Sequence, residues 1–268
     1  MVWGANRKRM DHGGIVFEFN VLGPVTVRRD GVPVPLRAAM LRRLLAVLIC
    51  SAGQPVSADE LVDALWPDSP PLTARKTLQV YVVRLRRALT DRDRIGHGPA
   101  GYTLAMTGGE LDAGRFAELV TLARTVRATG DAVTAADTYG RALALWRGRP
   151  YADIAGVTVV DCAAREWAER RLAAIQERTD VELALGRHVE VVPQLSGLVG
   201  RHPYRERLRE QLMIALYRSG RQVEALELYR STCRLFADEL GLRPGPGLES
   251  VHQAILSGTD PLLARVPV

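Results

Sequence analysis

Seven basic side chains fall within one 26-residue segment, residues 69–94, which contains only two acidic ones, Asp91 and Asp93. The seven are Arg75, Lys76, Arg84, Arg86, Arg87, Arg92 and Arg94. Guanidinium and ammonium groups bind phosphate oxygens, and Gln79 in the same segment can pair with adenine through two hydrogen bonds. These residue types are suited to nucleic-acid binding, although a charge run is also typical of a solvated helix face. The secondary structure of this segment is needed to distinguish nucleic-acid binding from a solvated face.

The apolar residues of this segment repeat at helical spacing and predict a helix that begins near Thr73. They fall within about 60° of one another at 100° per residue, which predicts a stripe facing the core. The stripe consists of Leu78, Val82, Leu85 and Leu89. The opposite face is mostly polar and basic and comprises Lys76, Gln79, Val80, Val83, Arg86 and Arg87. Its two valines would contact thymine methyl groups, a partner protein or only solvent.

Short strands and two more helices are predicted before this helix. Residues 15–22, 25–27 and 32–36 have strand character, and Asp30-Gly31 suits the positive φ angles of a tight turn. A first helix carries leucines at helical spacing and should stop at Gly53. These leucines are Leu41, Leu44, Leu45 and Leu48. A second helix opens with the capping-box spacing of Ser57-Ala-Asp-Glu60 and ends at Pro67.

A glycine-rich hairpin is predicted after the basic helix, over residues 95–104. Strands, three helices and a terminal hairpin together predict a winged helix-turn-helix domain over residues 15–106, preceded by a flexible tail over 1–14. In such a domain the third helix enters the major groove, and the hairpin lies over an adjacent groove or phosphate track. The basic face would then meet DNA.

Helices dominate the sequence from Leu111 onward. Gly130, Gly186 and Gly220 each precede an alanine- or leucine-rich helix, and the last two are 34 residues apart, the period of a tetratricopeptide repeat. An extended helix over about 160–185 would interrupt the array. We expect an all-α repeat domain over 111–258 and a tail over 259–268, with a concave surface that binds a protein partner or a second copy.

The composition excludes several classes of protein. The formal net charge is +6, and residues 1–110 carry +5 of it. No apolar run reaches the roughly 18 residues of a membrane span and no leader pattern opens the chain, so we expect a cytoplasmic protein. Cys50, Cys162 and Cys233 lack metal-ligand spacing and are expected to be buried free thiols.

No catalytic motif, metal site or cofactor is expected. The five histidines do not show metal-ligand spacing, and neither a nucleophile elbow nor a dinucleotide fingerprint occurs. Glu206 and Glu210 have the spacing of carboxylates that pair with arginines on one helix surface. The sequence therefore does not indicate an enzyme.

Ordered sequence blocks along the chain resemble the Streptomyces antibiotic regulatory protein family. In the first part these are Val21-Leu-Gly-Pro24, Leu61-Val-Asp-Ala-Leu-Trp66, Thr77-Leu-Gln-Val-Tyr81, Arg84-Leu-Arg-Arg-Ala-Leu89 and Gly101-Tyr102. In the second part they are Leu143-Ala-Leu-Trp-Arg-Gly148, Leu183-Ala-Leu-Gly-Arg-His188, Gln211-Leu-Met-Ile-Ala-Leu-Tyr-Arg-Ser-Gly-Arg221 and Asp238-Glu-Leu-Gly-Leu-Arg-Pro-Gly245. The resemblance covers nearly everything from Phe17 to Leu256.

The resemblance implies a mainly α protein, with a winged helix of the response-regulator type followed by a bacterial transcriptional activator domain of tetratricopeptide-like repeats. It implies a transcription activator that binds direct repeats in promoter DNA side by side, recruits RNA polymerase holoenzyme through its sigma subunit, and switches on an antibiotic or other secondary-metabolite gene cluster. Larger members continue into an ATPase module. Residues 1–268 contain no phosphate-loop motif, so we expect a small member or a truncated form.

Residue roles can be carried over position by position. The resemblance and the outward face together assign base reading to Thr73, Lys76, Gln79, Val80 and Val83. They assign phosphate contacts to Arg42, Arg75, Arg86, Arg87 and Arg94. His97 is the wing candidate, at a position where the family often has arginine, and Met40 stands where the family commonly has lysine.

One alternative of another class remains at this stage. A helical-repeat scaffold or adaptor could use its basic N-terminal domain to bind an acidic protein or a membrane surface. Such a protein would show no preference for a duplex sequence, which a mobility shift with promoter DNA against scrambled DNA would reveal.

Overall fold

The computed structural model describes residues 16–51 and 53–262, and the predicted tail 1–14 and the last six residues lie outside that range. Two compact units make up the chain. The first extends to Val120 and also includes Arg141–Arg171, and the second includes Thr121–Gly140 and the chain from Leu172 onward. The first unit thus takes in residues beyond the predicted winged-helix segment 15–106.

Three antiparallel strands open the described chain: β1 (Phe17–Asn20), β2 (Thr26–Arg29) and β3 (Val32–Val34), in the order β1-β2-β3. Asp30 and Gly31 have φ angles of 50° and 78°, which confirms the predicted two-residue turn. β1 is shorter than the predicted segment 15–22. It ends at Asn20 because the next two amides turn away from the sheet to bind a carboxylate, as described below.

Three helices follow, α1 (Ala39–Cys50), α2 (Ala58–Leu65) and α3 (Ala74–Leu89). The predicted capping box of α2 is confirmed: the Glu60 amide donates to the Ser57 hydroxyl at 3.2 Å, and the Ser57 amide donates to the Glu60 carboxylate at 2.9 Å. These hydrogen bonds lower the pKa of Glu60 from its ordinary value, so the Glu60 carboxylate of the capping box is ionised at neutral pH. Leucines of all three helices form the core of this part of the chain.

The predicted hairpin is also present, as β4 (Ile95–Gly98) and β5 (Gly101–Leu104). The backbones of Tyr102 and Val56 exchange two hydrogen bonds of 2.8 Å, which fix β5 beside the chain that leads into α2. Gly101 lies against this contact with a φ of 123°, and a Cβ added to it would meet the Val56 carbonyl oxygen at 2.0 Å. Only glycine fits there without moving the backbone.

A buried carboxylate joins the β1–β2 loop to the start of the predicted activator segment. Asp112, 2% exposed, accepts hydrogen bonds from the amides of Val21 (2.8 Å) and Leu22 (3.0 Å) and from the Arg147 guanidinium (2.6 Å). In return, the Arg147 amide donates to the Leu22 carbonyl and the Tyr151 amide to the Val21 carbonyl. The peptide groups of this loop are thus satisfied by residues about 90 to 130 positions later, which explains why the first compact unit includes them.

Helices α4 (Asp112–Ala128), α5 (Ala132–Ala144) and α6 (Thr158–Ala184) each contribute residues to both units. The long helix predicted near 160–185 corresponds to α6. Gly130 precedes α5 with a φ of 89°, in the left-handed region that favours glycine.

The second unit continues with α7 (His188–Arg201), α8 (Glu206–Arg218), α9 (Gln222–Leu240) and α10 (Pro246–Leu256). α8 packs against α7, α9 and α10 through a fully apolar stretch from Leu212 to Leu216. Gly186 and Gly220 end the helices before α7 and α9 with positive φ, as the repeat pattern predicts. The all-helical character predicted for this part is confirmed. No helix in the described parts of the chain is both long and apolar enough to cross a bilayer.

Glu206 and Glu210, which have the spacing of carboxylates that pair with arginines on one helix surface, lie beside the start of α10. The Glu206 carboxylate accepts a 2.6 Å hydrogen bond from the amide of Gly245, the N-cap of α10. Glu210 lies so near Gly247 that an added Cβ would come within 2.5 Å of its carboxylate. A helix N-terminus attracts negative charge, so both glutamates help to seat α10 on α8.

The expectation that all three cysteines are buried is wrong. Cys162 is exposed, while Cys50 and Cys233 are half-buried; all three are free thiols. Cys162 follows the start of α6 on its solvent side, where an apolar pattern does not imply a core position. Burial of the Cys50 side chain raises the pKa of its thiol to about 11.

We therefore expect iodoacetamide at about pH 8 to alkylate Cys162 and to leave Cys50 unmodified in the folded protein. The thiolate is the reacting species, and a thiol of pKa about 11 is only about one-thousandth ionised at that pH. Peptide mass spectrometry with and without denaturant measures both sites. Equal labelling of the two in the folded protein would contradict the raised pKa of Cys50.

Candidate nucleic-acid interface

The outward face of α3 presents the residues that the sequence assigned to base reading. Lys76 and Gln79 are exposed, and Val80 and Val83 are 47% and 43% exposed, while the stripe behind them is almost fully buried. Lys76, Val80, Val83 and Arg87 follow the helical spacing that places them in one line on this face. A side chain at any of these positions can reach into a groove without disturbing the core.

Thr73 occupies the N-cap position of α3, but its side chain caps no amide. Its hydroxyl lies 3.4 Å from that of Thr77, which donates to the Thr73 carbonyl at 3.0 Å. The first turn of α3 contains no acidic residue. The beginning of the helix is therefore electropositive, through both its dipole and Lys76.

Three of the five predicted phosphate contacts are engaged within the protein. Arg42 is paired with Asp153 at 2.6 Å and also donates to the Leu36 carbonyl at 2.7 Å. Arg86 donates to the Ile95 carbonyl at 2.9 and 2.5 Å, which ties α3 to the wing strand β4. These hydrogen bonds use the guanidinium edges that a phosphate would need.

Arg94 is enclosed by two carboxylates and an aromatic ring. Its guanidinium pairs with Glu110 at 2.9 Å and Asp91 at 3.4 Å, and lies 4.4 Å from the centroid of the Phe17 ring. Its side chain is only 16% exposed. Arg94 therefore stabilises the fold where β1, the wing and the start of the predicted activator segment meet.

The remaining two predicted anchors differ from each other. Arg75 is 70% exposed and holds Asp59, also exposed, at 2.5 Å. Within residues 16–51 and 53–262, the Arg87 side chain makes no hydrogen bond or ion pair, and it lies on the outward face. Arg87 is therefore the predicted anchor that is fully available.

Two available cations were not among the predicted contacts. Arg84 and Arg92 are exposed, and neither side chain has a hydrogen-bonding or ion-pairing partner in the described part of the chain. Arg84 lies on the flank of α3 turned away from Arg86 and hence from the wing, because two helical positions differ by about 200°. The helical wheel alone would have placed Arg84 outside the core, so this residue could have been found from sequence.

The wing contributes His97, which is exposed and lies with its ring centroid 4.5 Å from that of the buried Tyr102. The contact holds the imidazole on the β4 side of the hairpin, beside the glycine-rich tip. Over the described residues, no group of three or more His, Cys, Asp or Glu side chains could hold a metal ion. The arrangement is that of a cationic helix face with a hairpin beside it.

Two family models match the chain. One, described as the bacterial transcriptional activator domain, matches residues 111–256, and the other, described as the C-terminal part of transcriptional regulatory proteins, matches residues 35–101. Regulatory protein AfsR of Streptomyces coelicolor is 43% identical over 251 residues, which are 92% of this chain and 25% of AfsR. The chain thus spans about a quarter of the AfsR relatives that it matches.

Regulatory protein DnrI of Streptomyces peucetius has a similar length to the matched region. It is 33% identical over 258 residues, which cover 92% of this chain and 94% of DnrI. A solved structure of Mycobacterium tuberculosis EmbR, in complex with a low-affinity phosphopeptide, superposes with a TM-score of 0.87 at 33% identity. That match covers 94% of this chain and 68% of the EmbR chain.

Proposed function

The chain belongs to the Streptomyces antibiotic regulatory protein family of transcriptional activators, and from this premise we propose that it activates transcription by binding promoter DNA through α3 and the β4–β5 wing. The observation that carries the proposal is the outward face of α3, where a line of exposed cations and valines is anchored by a buried leucine stripe. Both family models describe parts of transcriptional regulators.

In this proposal Gln79 pairs with an adenine edge, Val80 and Val83 contact thymine methyl groups, and Lys76 and Thr73 read bases near the start of α3. Arg87 anchors the helix on phosphates, joined by Arg84 and Arg92, while Arg75 requires release from Asp59. His97 lies over the neighbouring groove or phosphate track. The other three predicted anchors stabilise the fold instead: Arg42, Arg86 and Arg94.

If about five phosphates are neutralised per bound copy, affinity falls on the order of 500-fold between roughly 50 and 200 mM salt. Fluorescence anisotropy with the duplex upstream of the protein's own gene, over a salt series, tests the proposal directly. Binding that does not respond to salt, or that is equal on a scrambled duplex, would instead favour the scaffold that binds acidic surfaces.

We expect Gln79→Ala and Arg87→Ala to have different effects on DNA binding. Gln79→Ala should cost about 1–3 kcal/mol on the specific site and relax the preference at one base step. Arg87→Ala should weaken binding to all sequences alike and reduce the salt slope by about one. Affinities for a series of single-mismatch duplexes measure both effects, and indistinguishable profiles would refute the division into readers and anchors.

The finer parts of the proposal rest on the family. We propose that copies bind side by side on direct repeats, associate with one another there, and recruit RNA polymerase through its sigma subunit to switch on a secondary-metabolite gene cluster. This activity would place the protein in the cytoplasm, at the nucleoid. Footprinting at the promoter, followed by in vitro transcription with purified holoenzyme, tests the repeats and the recruitment separately.

A further inference from the structure

An exposed ion pair links the starts of α2 and α3. The Arg75 Nη2 atom lies 2.5 Å from Oδ1 and 2.7 Å from Oδ2 of Asp59. The two side chains are 70% and 67% exposed, so neither is held in place by burial. Arg75 is a first-turn neighbour of Lys76, at the end of α3 that the proposed function directs at DNA.

Asp59 is not needed to cap α2, because Ser57 and Glu60 already form the capping box. Within the described residues its carboxylate hydrogen-bonds to Arg75 alone. A carboxylate close to a phosphate surface is repelled by it. The helix dipole also favours a carboxylate in the first turn of α2, whether or not that carboxylate is paired. The contact with Arg75 is therefore a second property of Asp59, separate from its part in the helix.

The pair contributes little to the stability of the fold, because both side chains are exposed to solvent. Its larger effect is on DNA binding, because a cation that contacts a phosphate releases condensed counterions. While Asp59 holds it, Arg75 brings no net charge to the duplex. If Arg75 turned to a phosphate, the Asp59 carboxylate would be left unpaired near the DNA backbone. Its repulsion by the phosphates would reduce the affinity gained from the new contact.

We propose that Asp59 is a positioning residue that masks Arg75 and so sets the upper limit of DNA affinity. The inference rests on the proposed function. Since phosphate contacts carry no sequence information, the mask lowers affinity for every duplex, specific or not. The mask thus lowers nonspecific binding to the many other DNA sites that compete with the specific site for a regulator.

The test is a double-mutant cycle of Asp59→Asn and Arg75→Ala in the full chain, measured by anisotropy on promoter and scrambled duplexes over a salt series. Asp59→Asn should raise affinity for both duplexes roughly eightfold at about 100 mM salt and steepen the salt slope by about 0.9, the signature of one added phosphate contact. Arg75→Ala alone should change little. In the Asp59→Asn background, Arg75→Ala should abolish the gain.

Asp63→Asn is the matched control, because Asp63 is an exposed carboxylate on the same helix. It should leave the slope unchanged, and thermal melts should show all variants folded. A gain from Asp59→Asn that persists without Arg75, or no gain at all, overturns the mask while the proposed function stands. A wild-type chain that binds no duplex in a salt-dependent way removes the proposed function and this inference with it.

Discussion

Asp112→Ala is expected to lower the free energy of unfolding of the first compact unit by about 3–5 kcal/mol. The substitution removes the acceptor of two buried amides, Val21 and Leu22, and the partner of Arg147. Buried donors that lose their acceptor cost about 1–3 kcal/mol each, whereas the Arg147 side chain is 39% exposed and can be solvated by water when Asp112 is removed. Urea unfolding followed by circular dichroism measures the loss.

Glu118→Ala provides the control, since Glu118 is exposed on the same helix, α4. It should change stability by less than about 0.5 kcal/mol. Asp112→Asn should fall between the two, because its amide oxygen can still accept one of the hydrogen bonds. If Asp112→Ala were no more harmful than Glu118→Ala, the β1–β2 loop would not depend on the activator segment.

The second large effect is expected from Gly101→Ala, which should cost at least about 3 kcal/mol and abolish specific DNA binding. The added Cβ would lie 2.0 Å from the Val56 carbonyl oxygen, and the φ of 123° is strained for any residue with a Cβ. Relief requires β5 to move away from Val56, which displaces the wing. Thermal melting and anisotropy on the promoter duplex measure the two losses.

Gly98→Ala is the matched control at the other side of the hairpin tip. Nothing lies within 4 Å of a Cβ at Gly98, and its φ is not in the left-handed region. Stability should change by less than about 1 kcal/mol, and DNA affinity should remain within a few fold of wild type. Similar losses from both substitutions would mean that the close approach of Gly101 to Val56 does not position the wing.

Local signals predicted most of the first unit. The positive-φ pair Asp30-Gly31, the capping box at Ser57 and the leucine stripe of α3 each act over a few residues, so the sequence shows them directly. The helical repeats were predicted in the same way, from glycines that end one helix before the next. Such signals do not depend on what lies elsewhere in the chain.

Partners far apart in sequence could not be predicted. Nothing near Asp112 shows that it binds amides about 90 residues earlier, and nothing near Arg42 points to Asp153. Arginines chosen for phosphate contacts by charge and resemblance, such as Arg94, therefore proved to be engaged inside the protein. An arginine has the same appearance in sequence whether it binds a phosphate or a buried carboxylate.

Arg84 is the opposite case. The helical wheel that exposes Gln79 and Arg87 exposes Arg84 as well, although Arg84 is not among the predicted contacts. Its availability became clear only when the partners of its neighbours were known. The surface of α3 could be predicted from sequence, whereas the division of its cations between fold and ligand could not.

The hydrogen bonds between the β1–β2 loop and Asp112, Arg147 and Tyr151 join the winged helix to residues 141–171 in one compact body. If copies bind direct repeats, as we propose, this early part of the activator region has the same rotational orientation about the DNA axis in every bound copy. Inserting about five base pairs between two such repeats would then turn neighbouring copies to opposite sides of the duplex, and about ten would bring them back into phase.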